Sequence, residues 1–437
     1  MTEIAQIQLL VSKGVETTVN TITAASENFL SQQDLTAVGG PGTRAGIQLL
    51  TKNEVDQLGP LSEFERSVVR HVVNTRNIYP YAVVLPEDPT SVLYLAKSDL
   101  IDDTLSDEHV ITGTAFPEGL PRIEAYLTRF RTLLEHKTRE RGERRPWWTL
   151  HRPRANVVGD ATPDDTGWSR YCLTTRWGGG GRLVVGIAPP RTSPASGLHV
   201  LRLGRPDIPA AYLCALYNST LYQEIAESLP PGQLRQQDLD RIGLPDLGHE
   251  ADSVVRHALE LAQIVTELVT VHVPRWPLLA DVLREDVSLP NLPDDSWIAP
   301  VGPATSWGTV SGLNWASRTG RRRAGTTKLG AVTVEHDLYG LSVTAAARGQ
   351  NYPAVRFSVA GEELEVAQAL AARIRGIAVV GGSVADVEQL RLPIAATSLM
   401  TLYAQHRSSL AALAGQYRAK RSAIDETLDK ALANNTA

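Results

Sequence analysis

Side chains suited to phosphate and base edges are concentrated in a few segments of this 437-residue chain. Between Arg122 and Arg154 ten basic residues stand against four acidic ones, a local charge of +6. Arg318 to Lys328 carries five basic residues and no acid, a local +5, while the whole chain is −5, which leaves −16 for the remainder. Concentrated basic patches on an acidic body fit a protein that offers selected surfaces to phosphates. The other reading of each run is a solvated loop or helix face. At the end of the first run, Trp148, His151, Arg152 and Arg154 are candidates for nucleic-acid contact. Alternate residues of a strand face opposite sides, which puts Arg152 and Arg154 on one face. The guanidinium fork suits both phosphate and the O6/N7 edge of guanine; the alternative is ion pairing with Asp160, Asp164 or Asp165. Trp147 and Trp148 either stack on sugar and base or fill a core. Arg76, Asn77, Tyr79 and Tyr81 follow a helical stretch in a Pro-containing loop, and Lys13 and Arg44 lie in glycine-bearing N-terminal loops. Arg321, Arg322 and Arg323, between Gly320 and Gly325, read as a mobile loop that neutralises phosphates without reading sequence.

Other chemistries lack their residues. A metal-dependent nuclease needs clustered acids followed by lysine, and neither Glu335-His-Asp337 nor Glu362-Glu-Leu-Glu365 has one. Ten histidines without paired cysteines or a close His-x-x-x-His spacing give no zinc site. No Gly-x-Ser-x-Gly elbow is present. The expectation is a chain with no catalytic residue, metal or cofactor of its own.

The elements that must position these residues follow from pattern. Apolar residues are 43% and charged residues 21%, which fits a globular chain, and two cysteines exclude a disulfide framework. The N-terminus lacks a basic-then-apolar leader and no apolar run reaches spanning length, so a cytoplasmic, non-membrane protein is expected. Residues 1–60 read as irregular strands and turns, 61–74 as a helix, and 82–85 and 91–95 as strands. A helix is expected over 121–141, strands over 148–150, 169–174, 182–187 and 198–203, and a helix over 209–229. Val254, Ala258, Leu261, Val265, Leu268 and His272 step as a heptad seam in a helix over 252–272. Leu399, Leu402, Leu410, Leu413 and Tyr417 form a second seam in a helix over 396–431, and His272 and His406 fall on the two seams. Between the helices lies a proline-rich stretch and a smaller module, strand-rich over 331–335, 341–345 and 354–359 and helical over 362–375. Asp238-Leu-Asp-Arg-Ile-Gly-Leu-Pro245 matches Asp386-Val-Glu-Gln-Leu-Arg-Leu-Pro393 at an offset of 148 residues, and each copy precedes one long helix. The reading is an α+β chain in five parts: 1–250, a first helix 251–273, a linker 274–303, a second module 304–395, and a C-terminal helix 396–437.

The order of several segments resembles the TaqI-like C-terminal specificity domain of adenine-N6 DNA methyltransferases. They are Val11-Ser-Lys-Gly-Val15, Arg70 through Tyr81, Tyr126 through Leu134, Arg144-Arg-Pro-Trp-Trp-Thr-Leu-His-Arg-Pro-Arg154, Tyr212-Leu-Cys-Ala-Leu-Tyr-Asn-Ser-Thr-Leu221, Gly232 and Leu244-Pro245. The duplicated Leu-Pro and helix arrangement is similar to the specificity subunit of type I restriction-modification enzymes. That resemblance implies two target recognition domains separated by two long helices that pack antiparallel and dock catalytic subunits through Val254, Leu261, Val265, Leu268, Leu399, Leu402, Leu410, Leu413 and Tyr417. The chain departs from the methyltransferases at the catalytic loop. Ala188-Pro-Pro-Arg191 and Leu229-Pro-Pro-Gly232 lack both the polar first residue and the aromatic last one, and Gly178-Gly-Gly-Gly181 reads as a flexible loop. The resemblance therefore implies a DNA-recognition subunit. Its partners are double-stranded DNA, a separate adenine-N6 methyltransferase that holds S-adenosylmethionine and, where the system restricts, a nuclease subunit of a restriction-modification or phage-defence system. The rival is a scaffold or inhibitor of a defence complex that reads no DNA.

Overall fold

The computed structural model describes residues 7–19, 21–38, 46–96, 105–154, 163–175, 177–178, 183–227, 232–233, 238–239, 243–272, 283, 307–309, 332–337, 340–347, 350–351, 355–357, 391–393 and 399–436. It divides into two units, Met1–Ala262 with Ala423–Ala437, and Gln263–Ser422. Both mix strands and helices, an α+β architecture.

In the first unit the strands are β1 (Leu9–Lys13), β2 (Leu49–Leu50), β3 (Val69–Val73), β4 (Tyr81–Ala82), β5 (Ser91–Leu93), β6 (Cys172–Thr175), β7 (Trp177–Gly178), β8 (Val185–Ile187), β9 (Thr192–Pro194), β10 (Leu198–Leu203) and β11 (Gly232–Gln233). One sheet runs β1-β10-β6-β8-β4, antiparallel except for the β8–β4 pair, and a second runs β2-β5-β3-β9 with β3 and β9 parallel. The helices are α1 (Ala24–Glu27), α2 (Gln32–Val38), α3 (Lys52–Gln57), α4 (Glu63–Val68), α5 (Asp107–Gly113), α6 (Pro121–Thr128), α7 (Arg131–Glu140), α8 (Ala211–Tyr217) and α9 (Thr220–Glu227); α10 (Ala251–Glu267) begins in the first unit, and its residues from Gln263, with one further π-helical turn to His272, belong to the second. Helices α1 to α3 stand where the sequence pattern predicts only strands and turns.

Local chemistry explains the boundaries. Thr51 with Glu54 and Ser62 with Glu65 form capping boxes that start α3 and α4. Helix α4 stops after six residues and the valine-rich Val69–Val73 continues as strand, because β-branched residues pack well on a pleated surface. The helix expected over 121–141 breaks at Arg129–Phe130. Arg129 turns to Asp34 of α2, and Phe130 is buried edge-on against Tyr126. The strand expected at 148–150 is a turn, with Thr149 Oγ1 donating to the Pro146 carbonyl at 2.9 Å. Glu65 caps twice: one carboxylate oxygen accepts from Ser62 N at 2.9 Å and the other from Arg122 N at 2.8 Å, tying α4 to the start of α6. Burial pushes its carboxyl up, but these backbone hydrogen bonds outweigh that and hold it below the usual range.

The expected helix 209–229 is two, split at Asn218–Ser219. Asn218 is fully buried. Its carboxamide donates to the carbonyls of Val185 (2.7 Å) and Cys214 (2.8 Å) and accepts from Val185 N at 3.2 Å, standing in for a neighbouring strand beside β8. Helix α8 is buried along its whole length. The next residue but one, Thr220, gives its backbone N–H and its hydroxyl to the two carboxylate oxygens of Asp425, each at 2.8 Å. Asp425 belongs to the long C-terminal helix α11 (Leu399–Thr436).

The first Leu-Pro segment is held at three successive carbonyls. Tyr222 Oη donates to Gly243 at 2.7 Å, Ile7 N to Leu244 at 2.9 Å, and Tyr212 Oη to Pro245 at 2.6 Å. Burial raises both phenols well above their ordinary range, so they remain donors at neutral pH. The module thus closes onto the residues just before β1. In the second unit β12 (Trp307–Thr309) pairs antiparallel with Arg391–Pro393, which is β17, and Trp307 stands opposite Pro393. Between them β13 (Val332–Asp337) and β14 (Gly340–Ala347) form a hairpin, joined by β15 (Gln350–Asn351) and β16 (Val355–Phe357) on β14. In both copies the Leu-Pro segment meets the segment that opens its module. The helix expected over 362–375 lies outside the described residues.

Two outcomes are expected from this architecture. Asn218→Ala strands the Val185 amide and carbonyl in the core and should destabilise the first unit by about 3 kcal/mol, read as an earlier denaturation midpoint. Glu65 has a depressed pKa, so its contribution is present above the ordinary carboxylate range and is lost as pH falls through the folded value. Wild-type stability should therefore drop in acid, and Glu65→Gln should lower stability at pH 7 and flatten that acid limb in pH-dependent unfolding.

Candidate nucleic-acid interface

Lys13, His151, Arg152 and Arg154 of the first unit meet where β1 leaves its sheet. After β1, Gly14 N donates to Leu198 O at 3.1 Å and Val15 N to Pro194 O at 2.8 Å. A Cβ on Gly14 would lie 2.0 Å from the Ala195 carbonyl oxygen, so only glycine lets the two backbones cross there. Glu16 and Arg152 then exchange both backbone hydrogen bonds at 3.1 Å. The 150–154 segment is fastened on its other side, where Leu150 N donates to Leu95 O at 3.0 Å and Tyr94 Oη to Pro153 O at 2.7 Å. Beyond β9, Ala195 N bonds Val73 O at 2.9 Å, which brings the loop of Arg76 and Asn77 to the same crossing.

Three of the candidates converge on Glu16. Its carboxylate lies 3.7 Å from Arg152, 3.9 Å from Arg154 and 3.5 Å from His151 Nε2, and Glu143 approaches Nδ1 of the same ring. Burial lowers the His151 pKa against the pull of Glu143, so the imidazole is neutral at pH 7. Arg152 is half exposed at 51% and is the most open of the three. Lys13, at the end of β1, is exposed. Arg76 is exposed; the Asn77 side-chain oxygen is committed to Asn74 N at 2.9 Å. Of the alternative ion-pair partners of Arg152 and Arg154, Asp160 lies outside the described residues; both arginines approach Glu16, which is 136 positions from Arg152.

Several expectations need correction. Tyr79, Tyr81 and Trp148 are buried, at 4%, 0% and 2% exposure, so they cannot present rings to a duplex. Tyr81 takes a left-handed φ of 70° and its hydroxyl donates to Asn218 O; Trp148 sits in the helical core with Trp147 and Phe130. The basic run is also largely neutralised. Arg129 pairs with Asp34, Arg131 with Glu135, Lys137 with Glu140, Arg139 with Glu108, Arg144 with Asp107, and Arg145 with Glu143. With Glu16, four acids from outside the run reach into it and leave a formal +2 rather than +6. Val254, Leu261, Val265, Leu268, Leu410, Leu413 and Tyr417, the expected helix and partner interface, are buried. Arg44, Arg321, Arg322 and Arg323, and the side chains of Leu399 and Leu402, lie outside the described residues.

Among the described residues no group of three His, Cys, Asp or Glu side chains could hold a metal ion, and no helix is long and apolar enough to cross a membrane. No protein-family model matches the chain, and no curated protein matches it. Among solved structures, the HsdS subunit from Thermoanaerobacter tengcongensis is similar over 56% of this chain and 76% of its own, at 14% identity and a TM-score of 0.17, too poor a superposition to argue from.

The crossing itself is testable. Gly14→Ala forces the 194–195 backbone away and should destabilise the first unit by about 3 kcal/mol or more in chemical denaturation, whereas the same change at Gly197, where a Cβ meets nothing, should be nearly silent.

Proposed function

We propose that this chain is a DNA sequence-recognition subunit that directs a separate adenine-N6 methyltransferase to its site in a restriction-modification or phage-defence system. The observation that carries the reading is the twofold arrangement in which a Leu-Pro segment meets the segment that opens its module and a long helix follows, once at Ile7 and Leu244 and once at Trp307–Thr309 and Arg391–Pro393. That is the order the motif resemblance implies for paired recognition modules. Lys13, Arg76, Arg152 and Arg154 supply the first module's cationic rim, with Arg152 and Lys13 toward solvent. The partner methyltransferase holds S-adenosylmethionine and flips the adenine; this chain supplies position. One observation favours the rival scaffold reading, namely the neutralisation of the Arg122–Arg154 run by acids of the chain itself.

Fluorescence anisotropy of labelled duplex DNA with the full-length chain separates the two. A DNA reader should show affinity falling linearly with salt on logarithmic axes, with a slope of several units, and competition by one sequence. The double variant Arg152→Ala/Arg154→Ala should flatten that slope by about two. A salt-insensitive signal, or none, sinks the reading and leaves the scaffold.

A further inference from the structure

The geometry points to Arg191 as a further phosphodiester contact of the first module, presented by a strained Pro-Arg turn. The inference rests on the DNA-binding reading and extends it to a residue with no assigned role. Among the described residues three non-glycine residues adopt a left-handed backbone: Tyr81, Arg154 and Arg191, with φ of 70°, 58° and 56°. Tyr81 is buried and held by the core. All three follow a proline, Pro80-Tyr81, Pro153-Arg154 and Pro190-Arg191, and the other two are arginines. Glycine or asparagine occupies this conformation without the clash that a larger side chain meets. Where strain is kept, the surrounding structure must over-determine it, and such sites cluster at ligand contacts.

The turn at Arg191 is firmly pinned. The Pro189 carbonyl accepts from Ser169 Oγ and from Thr192 Oγ1, both at 2.8 Å, and His71 N donates to the Arg191 carbonyl at 3.0 Å. The side chain is nevertheless exposed and takes no ion pair from any described residue, unlike most of the Arg122–Arg154 run. Strand β9 begins at Thr192 and ends at Pro194, whose carbonyl receives Val15 N. Arg191 and the Gly14–Val15 crossing thus stand at opposite ends of one short strand, about 10 Å apart at the rise of extended chain. A guanidinium held on rigid backbone at that distance from the crossing offers what phosphate oxygens require, two parallel donors in a fixed plane.

Arg191→Gly separates a binding role from a structural one. Removing the strained side chain should leave the melting temperature of the full-length chain at or above that of the wild type. In anisotropy titrations against duplex DNA it should weaken binding and reduce the logarithmic salt slope by about one. Arg191→Lys, which keeps the charge, should retain most of the slope. If wild type binds with the expected slope and Arg191→Gly binds identically, the inference is overturned and the recognition reading stands. A lowered melting temperature in Arg191→Gly overturns it as well, since the arginine would then be supporting the fold. Absence of salt-dependent binding by wild type defeats the recognition reading first, and this inference with it.

Discussion

A single buried carboxamide organises the first unit. Asn218 satisfies both backbone groups of Val185, where β8 would otherwise carry an unpaired amide and carbonyl into the core. Its own carbonyl receives Tyr81 Oη, which fixes β4 alongside β8, and its position ends α8 so that α9 can begin at Thr220. Thr220 in turn receives the C-terminal helix through Asp425, a residue 205 positions later. Sheet, two helices and chain terminus therefore meet within three consecutive residues. The links at Val185 and Tyr81 are buried, where water offers no alternative partner, and the link to Asp425 is exposed.

The same requirement accounts for the Leu-Pro segment. Proline has no N–H to place in a ladder, so the backbone of Pro245 can be held only through its carbonyl. Ile7 and the hydroxyls of Tyr212 and Tyr222 take three in succession. The tyrosines flank the same Asn-Ser pair, so two matches of the resemblance, around 212–221 and at 244–245, are one device that closes the module. They report architecture; the surface that would touch DNA is built from other residues.

That surface is defined as much by acids as by bases. The run from Arg122 to Arg154 looks like one patch in sequence, yet Asp34, Asp107, Glu108 and Glu16 fold onto it from elsewhere. Exposed pairs of this kind contribute little to stability individually, but they decide which cations face solvent uncompensated. At the Gly14 crossing Lys13, outside the run, is exposed, and the half-exposed Arg152 shares Glu16 with Arg154 and His151. Glu16 is shared loosely among its basic neighbours at 3.5–3.9 Å, a geometry that a phosphate oxygen can compete with.

Periodicity and local chemistry by themselves determined the mixed α+β class, the amphipathic helix from about 252, the C-terminal helix and the strand at 198–203, because each depends on neighbours within a few residues, and the repeat in the sequence marked the paired Leu-Pro segments. They did not reveal the breaks at Arg129–Phe130 and Asn218–Ser219, the switch from α4 to β3, or the burial of Tyr79, Tyr81 and Trp148. Those were decided by partners tens to hundreds of positions away: Asp34, Val185 and the core around Phe130. The site divides in the same way. Residue type marked Lys13, Arg152 and Arg154 as cations suited to phosphate, but only the tertiary structure supplied Glu16 as their shared counter-ion, glycine as the sole residue the crossing admits, and a left-handed backbone beneath Arg154 and Arg191. Charge is a property of a residue, whereas its availability depends on which opposite charge the fold delivers to it.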